Sequence, residues 1–196
     1  TIPVTVKGHF EQTIAQAEIA NLEFWKSHLR SVEMNYRRAP FFDTYFDGFT
    51  AVLGPEHGNS SLACLNIRLI QWFCRILGIQ TPICRSSELS QQGRRSELLV
   101  NLCLSLNADY YLSALGSAVY LCDDLQRFSE VGIEVGFQHY EHPAYCQLFP
   151  PFVPYASTLD LIFNEGPMAT EIIRSGRRPA FRSSELPVEA TLVKKS

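Results

Sequence analysis

Asp109-Tyr110-Tyr111-Leu112-Ser113 and Ile133-Glu134-Val135-Gly136-Phe137-Gln138-His139, with residues 116–130 between them, form the stretch that decides the fold. The two outer pieces are short and rich in aromatic and β-branched side chains, as strands are. The middle piece places Leu121, Leu125 and Phe128 at helical spacing. Just upstream, residues 80–85 read as another strand. Residues 94–106 read as a helix with Leu98, Leu99, Leu102, Cys103 and Leu106 on one face. A β-α-β-α-β run over residues 80–139 needs crossovers that leave its strands parallel. The expected fold is therefore α/β, three-layered, a parallel sheet with helices on both faces.

Working toward the N-terminus, residues 21–38 carry Trp25, Leu29, Val32 and Tyr36, the stripe of an amphipathic helix, and Pro40 closes it. Phe41, Phe42, Tyr45, Phe46 and Phe49 form an aromatic second helix, read as core or as an interface. After a loop at 54–58, Ser60 or Ser61 caps a long helix to Leu77, and Gly78 stands where a terminating glycine belongs. Residues 1–6 alternate as a strand does. Beyond the central stretch comes a Pro-rich loop at 143–154. Ser157 then caps a helix to Asn164, and Pro167 starts another that ends at Gly176. Residues 1–176 read as one domain and 177–196, polar with Pro179 and Pro187, as a tail. No internal repeat beyond the βα unit is evident.

The chain has 196 residues, is 46% hydrophobic and carries a net charge of −3, which gives no basic excess for a nucleic-acid partner. No apolar run reaches the ~18 residues of a membrane span. None of the six cysteines is paired as C-x-x-C, so zinc ribbons and thioredoxin-like chemistry lack their motif. They read as reduced core cysteines, which fits a cytoplasmic location.

In an open parallel sheet, ligands bind beyond the carboxyl ends of the strands. Polar residues stand at all three expected ends: Arg85-Ser86-Ser87-Glu88, Ser113 through Ser117, and His139 through His142. Arg85 can pair bidentately with an anion such as a phosphate, with Ser86, Ser87 and Ser113 beside it. The same serines also read as helix caps. His139 and His142 are spaced i, i+3 without a third donor, so no metal is expected. Either imidazole suits a general base, or is simply a surface loop histidine. Asp160 and Asn164, i and i+4, share one helix face, and Asp160 also occupies the reciprocal capping position to Ser157. Cys146, in the same loop as His142, is a thiol candidate for a covalent relay.

The order of motifs resembles the WbqC-like family of bacterial proteins. It begins with Trp25-Lys26-Ser27-His28 and Tyr36-Arg37-Arg38-Ala39-Pro40-Phe41-Phe42. Leu77-Gly78-Ile79, Arg85-Ser86-Ser87-Glu88-Leu89 and Ala108 to Ser113 follow. It ends with His142-Pro143-Ala144-Tyr145-Cys146-Gln147 and Ser157 through Gly166. Two departures stand out. Tyr111-Leu112-Ser113-Ala114 replaces the family's Y-L-S-G. The family's opening segment, with Q-P-x-Y-x-P-W, D-D-V-Q-Y and W-x-x-R-N-R, is missing, so the chain is expected to be a member without its N-terminal part. The resemblance implies a cytosolic step on a nucleotide-linked sugar in polysaccharide and O-antigen assembly. The expected reaction is acyl or aminoacyl transfer to a sugar amine. Asp160, His142 and Asn164 are the expected catalytic residues, and Arg85, Ser86, Ser87, Ser113 and Gln147 the expected substrate-binding ones. The expected partners are that small molecule and an acyl donor, together with a separate N-terminal segment or a second copy. The residues identify no cofactor. The other reading is a non-catalytic module that binds a sugar nucleotide or a partner protein.

Overall fold

A computed structural model describes residues 1–5, 8, 11–54, 60–89 and 91–187. Along the chain run α1 (Phe24–Tyr36), α2 (Phe42–Leu53), α3 (Leu62–Ile76), α4 (Ser96–Ser105) and β1 (Tyr110–Ser113). Then come α5 (Ala118–Leu121), α6 (Leu125–Ser129), β2 (Glu134–Phe137), α7 (Thr158–Glu165) and α8 (Ala169–Ser175). Single 3-10 turns lie among them. The chain divides into two compact units. The first joins Thr1–Thr81 to His142–Ser175; the second joins Pro82–Glu141 to the segment from Gly176 onward.

The first unit is helical, and its center is α7. Every residue from Leu159 to Asn164 is buried, as expected of a helix covered on all sides. Ile162 and Phe163 are fully buried, each contributing roughly 1.5–3 kcal/mol of apolar burial. The Phe163 ring lies 5.4 Å from that of Tyr36 in α1 and 5.3 Å from that of Phe42 in α2. Phe42 and Phe49 are core residues and Phe42 stacks on Phe46 at 4.4 Å, so the aromatic second helix faces inward. In α1 the expected stripe holds: Leu29 is buried, and Trp25, Val32 and Tyr36 pack against the core.

Helix α3 starts and stops where its residues dictate. The Ser61 hydroxyl accepts from the Cys64 N–H. At the far end Gly78 adopts φ +62, the Gly78 N–H reaches the Arg75 carbonyl, and the Ile79 N–H reaches that of Cys74. This pair of bonds is the Schellman closure that glycine permits. The expected strand at 1–6 is reduced to one antiparallel bridge, Val4 with Ile19; Val6 lies outside the described residues.

The second unit keeps only part of the expected sheet. β1 and β2 pair in parallel, Tyr110 opposite Glu134 and Ser113 opposite Phe137, with α5 and α6 in the crossover. Residues 80–85 form no strand: all six are exposed and Pro82 has no N–H to give a ladder. Among the described residues, the expected β-α-β-α-β core of 80–139 is a small α/β arrangement, a two-stranded parallel sheet accompanied by helices. The further extended partner comes from the C-terminal segment, where Phe181 and Phe137 exchange two backbone hydrogen bonds of 2.9 Å. Phe181 and Leu186 also pack on this unit's core of Val100, Leu121, Phe128, Ile133 and Phe137. Ser96, 2% exposed at the start of α4, donates to Asp124 at 2.7 Å.

Contrary to the expectation of no repeat beyond the βα unit, Arg-Ser-Ser-Glu-Leu occurs twice, at 85–89 and at 182–186. Both copies fold into a 3-10 turn, Ser86–Glu88 and Ser183–Glu185, and each glutamate returns to its arginine. Glu88 faces the Arg85 guanidinium at 3.7 Å, and Glu185 accepts from the Arg182 backbone at 2.9 Å.

The cysteines are all free. Cys103 is buried, Cys64, Cys74 and Cys122 are half-buried, and Cys84 and Cys146 are exposed. No helix among the described residues is long and apolar enough to cross a membrane.

Candidate functional site

Helix α7 brings a carboxylate into the interior of the first unit. Asp160 is 7% exposed and sits in the first turn, where the helix N-terminus favors negative charge. Ser157 caps the helix through its hydroxyl, which accepts from the Leu159 N–H at 3.2 Å. The Asp160 carboxylate turns instead to the Pro-rich loop. Its Oδ2 accepts from the Tyr145 hydroxyl at 2.7 Å and from the Gln147 amide at 3.0 Å. Tyr36, at the end of α1, bonds to the same carboxylate.

The loop is tied to α7 at three successive residues. Between Tyr145 and Gln147, the Cys146 backbone N–H donates to Glu165 Oε1 at 2.8 Å. Gln147 then closes the loop on itself: its amide donates to the Val153 carbonyl at 3.1 Å and its oxygen accepts from the Val153 N–H at 2.8 Å. Asn164, buried one turn after Asp160, donates to the Asp160 main-chain carbonyl at 2.8 Å. It braces the helix under the carboxylate rather than joining the side-chain network.

Both phenols are held in their neutral form. Burial, then the hydrogen bond to Asp160 and its charge, push Tyr36 up to about 12. Burial and the Asp160 bond raise Tyr145 as well, against a smaller opposing effect of Gln147. An unfolded tyrosine titrates near ~10. The folded state thus holds these protons longer, so the contribution is intact below pH ~10 and is lost as pH rises toward 12. Urea unfolding between pH 9 and 11.5 is expected to show this loss in the wild type and a flatter profile in a Tyr36→Phe/Tyr145→Phe variant. Equal slopes would refute it.

His142 stands behind this network in an aromatic cluster. Its ring centroid is 4.8 Å from that of Tyr155, 6.0 Å from Phe152 and 6.2 Å from Tyr145. Asp160, Asn164, Gln147 and His142 are therefore brought together, as residues or through Tyr145. The remaining expected residues belong to the second unit. Arg85, Ser86 and Ser87 are exposed in their 3-10 turn. Ser113 ends β1 but is buried, with its hydroxyl 2.5 Å from that of Ser117, which itself donates to the Ala114 carbonyl at 2.6 Å. That hydroxyl closes the turn after the strand. His139 stacks on Phe181 at 4.2 Å. Among the described residues, no group of three or more His, Cys, Asp or Glu could hold a metal ion.

Tyr36 and Tyr145 are the partners that sequence reasoning passed over. The signal was present, since each is the tyrosine of a recognizable motif, Tyr36-Arg37-Arg38-Ala39-Pro40 and His142-Pro143-Ala144-Tyr145-Cys146-Gln147.

The WbqC-like protein family matches residues 1–172 of this chain. A relative from Mycobacterium tuberculosis (strain ATCC 25618 / H37Rv), named uncharacterized protein Rv1507c, is 36% identical over 180 residues. The match covers 91% of this chain and 76% of the relative. No solved structure matches the chain.

Proposed function

Because the chain belongs to the WbqC-like protein family, we propose that it is a transferase that moves an acyl or aminoacyl group to the amine of a nucleotide-linked amino sugar in surface-polysaccharide assembly. The observation that carries this reading is the phenol-carboxylate pair of a half-buried Tyr145 and a buried Asp160, set at a helix N-terminus and tied down on both sides.

The neutral amine attacks the acyl carbon through its lone pair, and as the N–C bond forms the nitrogen must shed one proton or keep a positive charge. Tyr145 donates to Asp160, which directs the remaining acceptor capacity of its oxygen toward a substrate N–H. As the N–C bond forms, the amine proton passes to the Tyr145 oxygen and the phenol's own proton passes to Asp160. The bond to the donor's leaving group then breaks, and that group takes the acyl bond's electron pair and, in turn, the proton held on Asp160. Tyrosinate never accumulates, in keeping with a phenol held neutral. Gln147 and Asn164 act as positioning residues, the first on the carboxylate and the second on its helix. Arg85, with Ser86 and Ser87, is exposed in the second unit and is a separate candidate for holding an anion.

The test is incubation of the protein with a panel of nucleotide-linked amino sugars and acyl thioester or aminoacyl donors, read by product mass. Transfer is expected in the wild type, with kcat about 10²-fold lower in Tyr145→Phe and little change in KM. Undiminished transfer by Tyr145→Phe would sink the relay, and a panel without product would sink the transferase reading. The second reading, a non-catalytic binding module, is favored by one observation: three side chains, Tyr36, Tyr145 and Gln147, already engage the Asp160 carboxylate.

A further inference from the structure

The second unit holds a cavity of about 290 Å³ where α6 and β2 meet the C-terminal segment. Its wall is divided by polarity. Leu125, Ile133 and Val135 supply the apolar part. Glu134 and Ser129 supply acceptors: the Ser129 hydroxyl donates to the Gln126 carbonyl at 2.9 Å, so its oxygen is left to accept. Arg182 supplies a cation, and the hydroxyls of Ser183 and Ser184 beside it can each donate.

The two charges of this wall stand without a counter-charge. Among the described residues, neither Glu134 nor Arg182 forms an ion pair, with each other or with a third group. The other charges of α6 and its end are engaged: Arg127 pairs with Asp124 at 3.2 Å, and Glu130 accepts from Gln126 at 2.9 Å. The two copies of Arg-Ser-Ser-Glu-Leu differ at this point. In the first, Glu88 faces the Arg85 guanidinium. In the second, Glu185 takes the Arg182 backbone N–H instead, and the guanidinium is left to the cavity.

We infer that this cavity binds a free α-amino acid with an apolar side chain of about leucine size. Such a molecule carries an ammonium and a carboxylate on one carbon, and its side chain leaves in a third direction. Glu134 and Ser129 receive the ammonium, Arg182 with Ser183 and Ser184 the carboxylate, and the apolar wall the side chain. A phosphate would set its charge against Glu134, and a simple amine against Arg182. The volume lies at the lower end of the ~300–1,000 Å³ range of small-molecule sites, room for one amino acid rather than for a nucleotide. This binding requires nothing of the transferase reading.

Isothermal titration of the full chain with L-leucine tests it, beside leucinamide, which lacks the carboxylate, and 4-methylpentanoate, which lacks the amine. L-Leucine is expected to bind with a Kd below ~1 mM, and each analog about tenfold more weakly. Glu134→Gln and Arg182→Gln are each expected to weaken L-leucine about tenfold. Both side chains are exposed, so the fold does not depend on them. The variants also differ in a way that unfolding would not produce. Arg182→Gln should close the gap between L-leucine and leucinamide, and Glu134→Gln the gap between L-leucine and 4-methylpentanoate. A wild-type Kd above ~1 mM overturns the inference. So does either analog binding as tightly as L-leucine, or an unchanged affinity in either variant. Inorganic phosphate that displaces L-leucine from the wild type would make this an anion site and overturn it as well.

Discussion

Gly166→Ala is expected to lower the melting temperature by about 10 °C, a loss of roughly 3 kcal/mol from a domain of this size. Two costs coincide at this position. Its backbone sits at φ +51, ψ −122, a region that side chains with a Cβ scarcely enter, and forcing one there costs about 1–3 kcal/mol. A Cβ would also meet the Phe41 ring at 2.5 Å, and the backbone that carries that ring is pinned. The Phe41 N–H is bonded to the Phe163 carbonyl at 3.0 Å, so the main chain at Phe41 is fastened to α7. Overpacking of this kind costs about 1–3 kcal/mol. Combining the substitution with Phe41→Leu should recover the steric share and leave the backbone share, which a double-mutant cycle separates. A melting temperature within 2 °C of wild type would contradict the account.

Asp160→Ala is expected to abolish transfer and to cost on the order of 3 kcal/mol of stability. The stability loss comes from the donors left behind. Tyr36, Tyr145 and the Gln147 amide all address one carboxylate, and its removal leaves partly buried N–H and O–H groups with no acceptor. Hydrogen bonds to a charged acceptor are worth about 1.5–3 kcal/mol each, but those sharing one oxygen are not additive. The loop should loosen with them, and faster amide exchange at Val153 reads this directly, since its N–H depends on Gln147. Asp160→Asn separates the two roles: it retains an acceptor oxygen and most of the fold, yet cannot take up a proton. A variant with alanine at 160 that unfolds and transfers like wild type would remove Asp160 from both roles.

Helices with caps and stripes were legible in the sequence. Ser61, Gly78 and Ser157 do what their chemistry requires, and the Tyr36-to-Trp25 stripe faces the core. The strand expected at 80–85 has nothing to pair with or pack on: Ile83 is 53% exposed, and Pro82 interrupts the donors. The third extended segment could not be foreseen, since nothing local to Phe181 announces pairing with Phe137. The site shows the same division. The i, i+4 relation of Asp160 and Asn164 was visible, but their different tasks were not, because the task of Asp160 is set by Tyr145 and Tyr36 from elsewhere in the chain. The repeat of Arg-Ser-Ser-Glu-Leu bears on Ser86 and Ser87. The second copy, beyond the family match, folds into the same turn. The serines of the first therefore need no ligand to account for their conformation.

The chain leaves the first unit at Thr81 and re-enters it at His142, and this routing has a consequence on the ribosome. The aromatic faces of α1 and α2 emerge early, yet the helix that covers them, with Phe163 and Ile162, is made only after the whole of residues 82–141. At synthesis rates of about 5–20 residues per second, those faces wait for several seconds without their partner. Tyr36 and Phe42 are thus the rings left longest in water, and they are covered only when Phe163 arrives with α7.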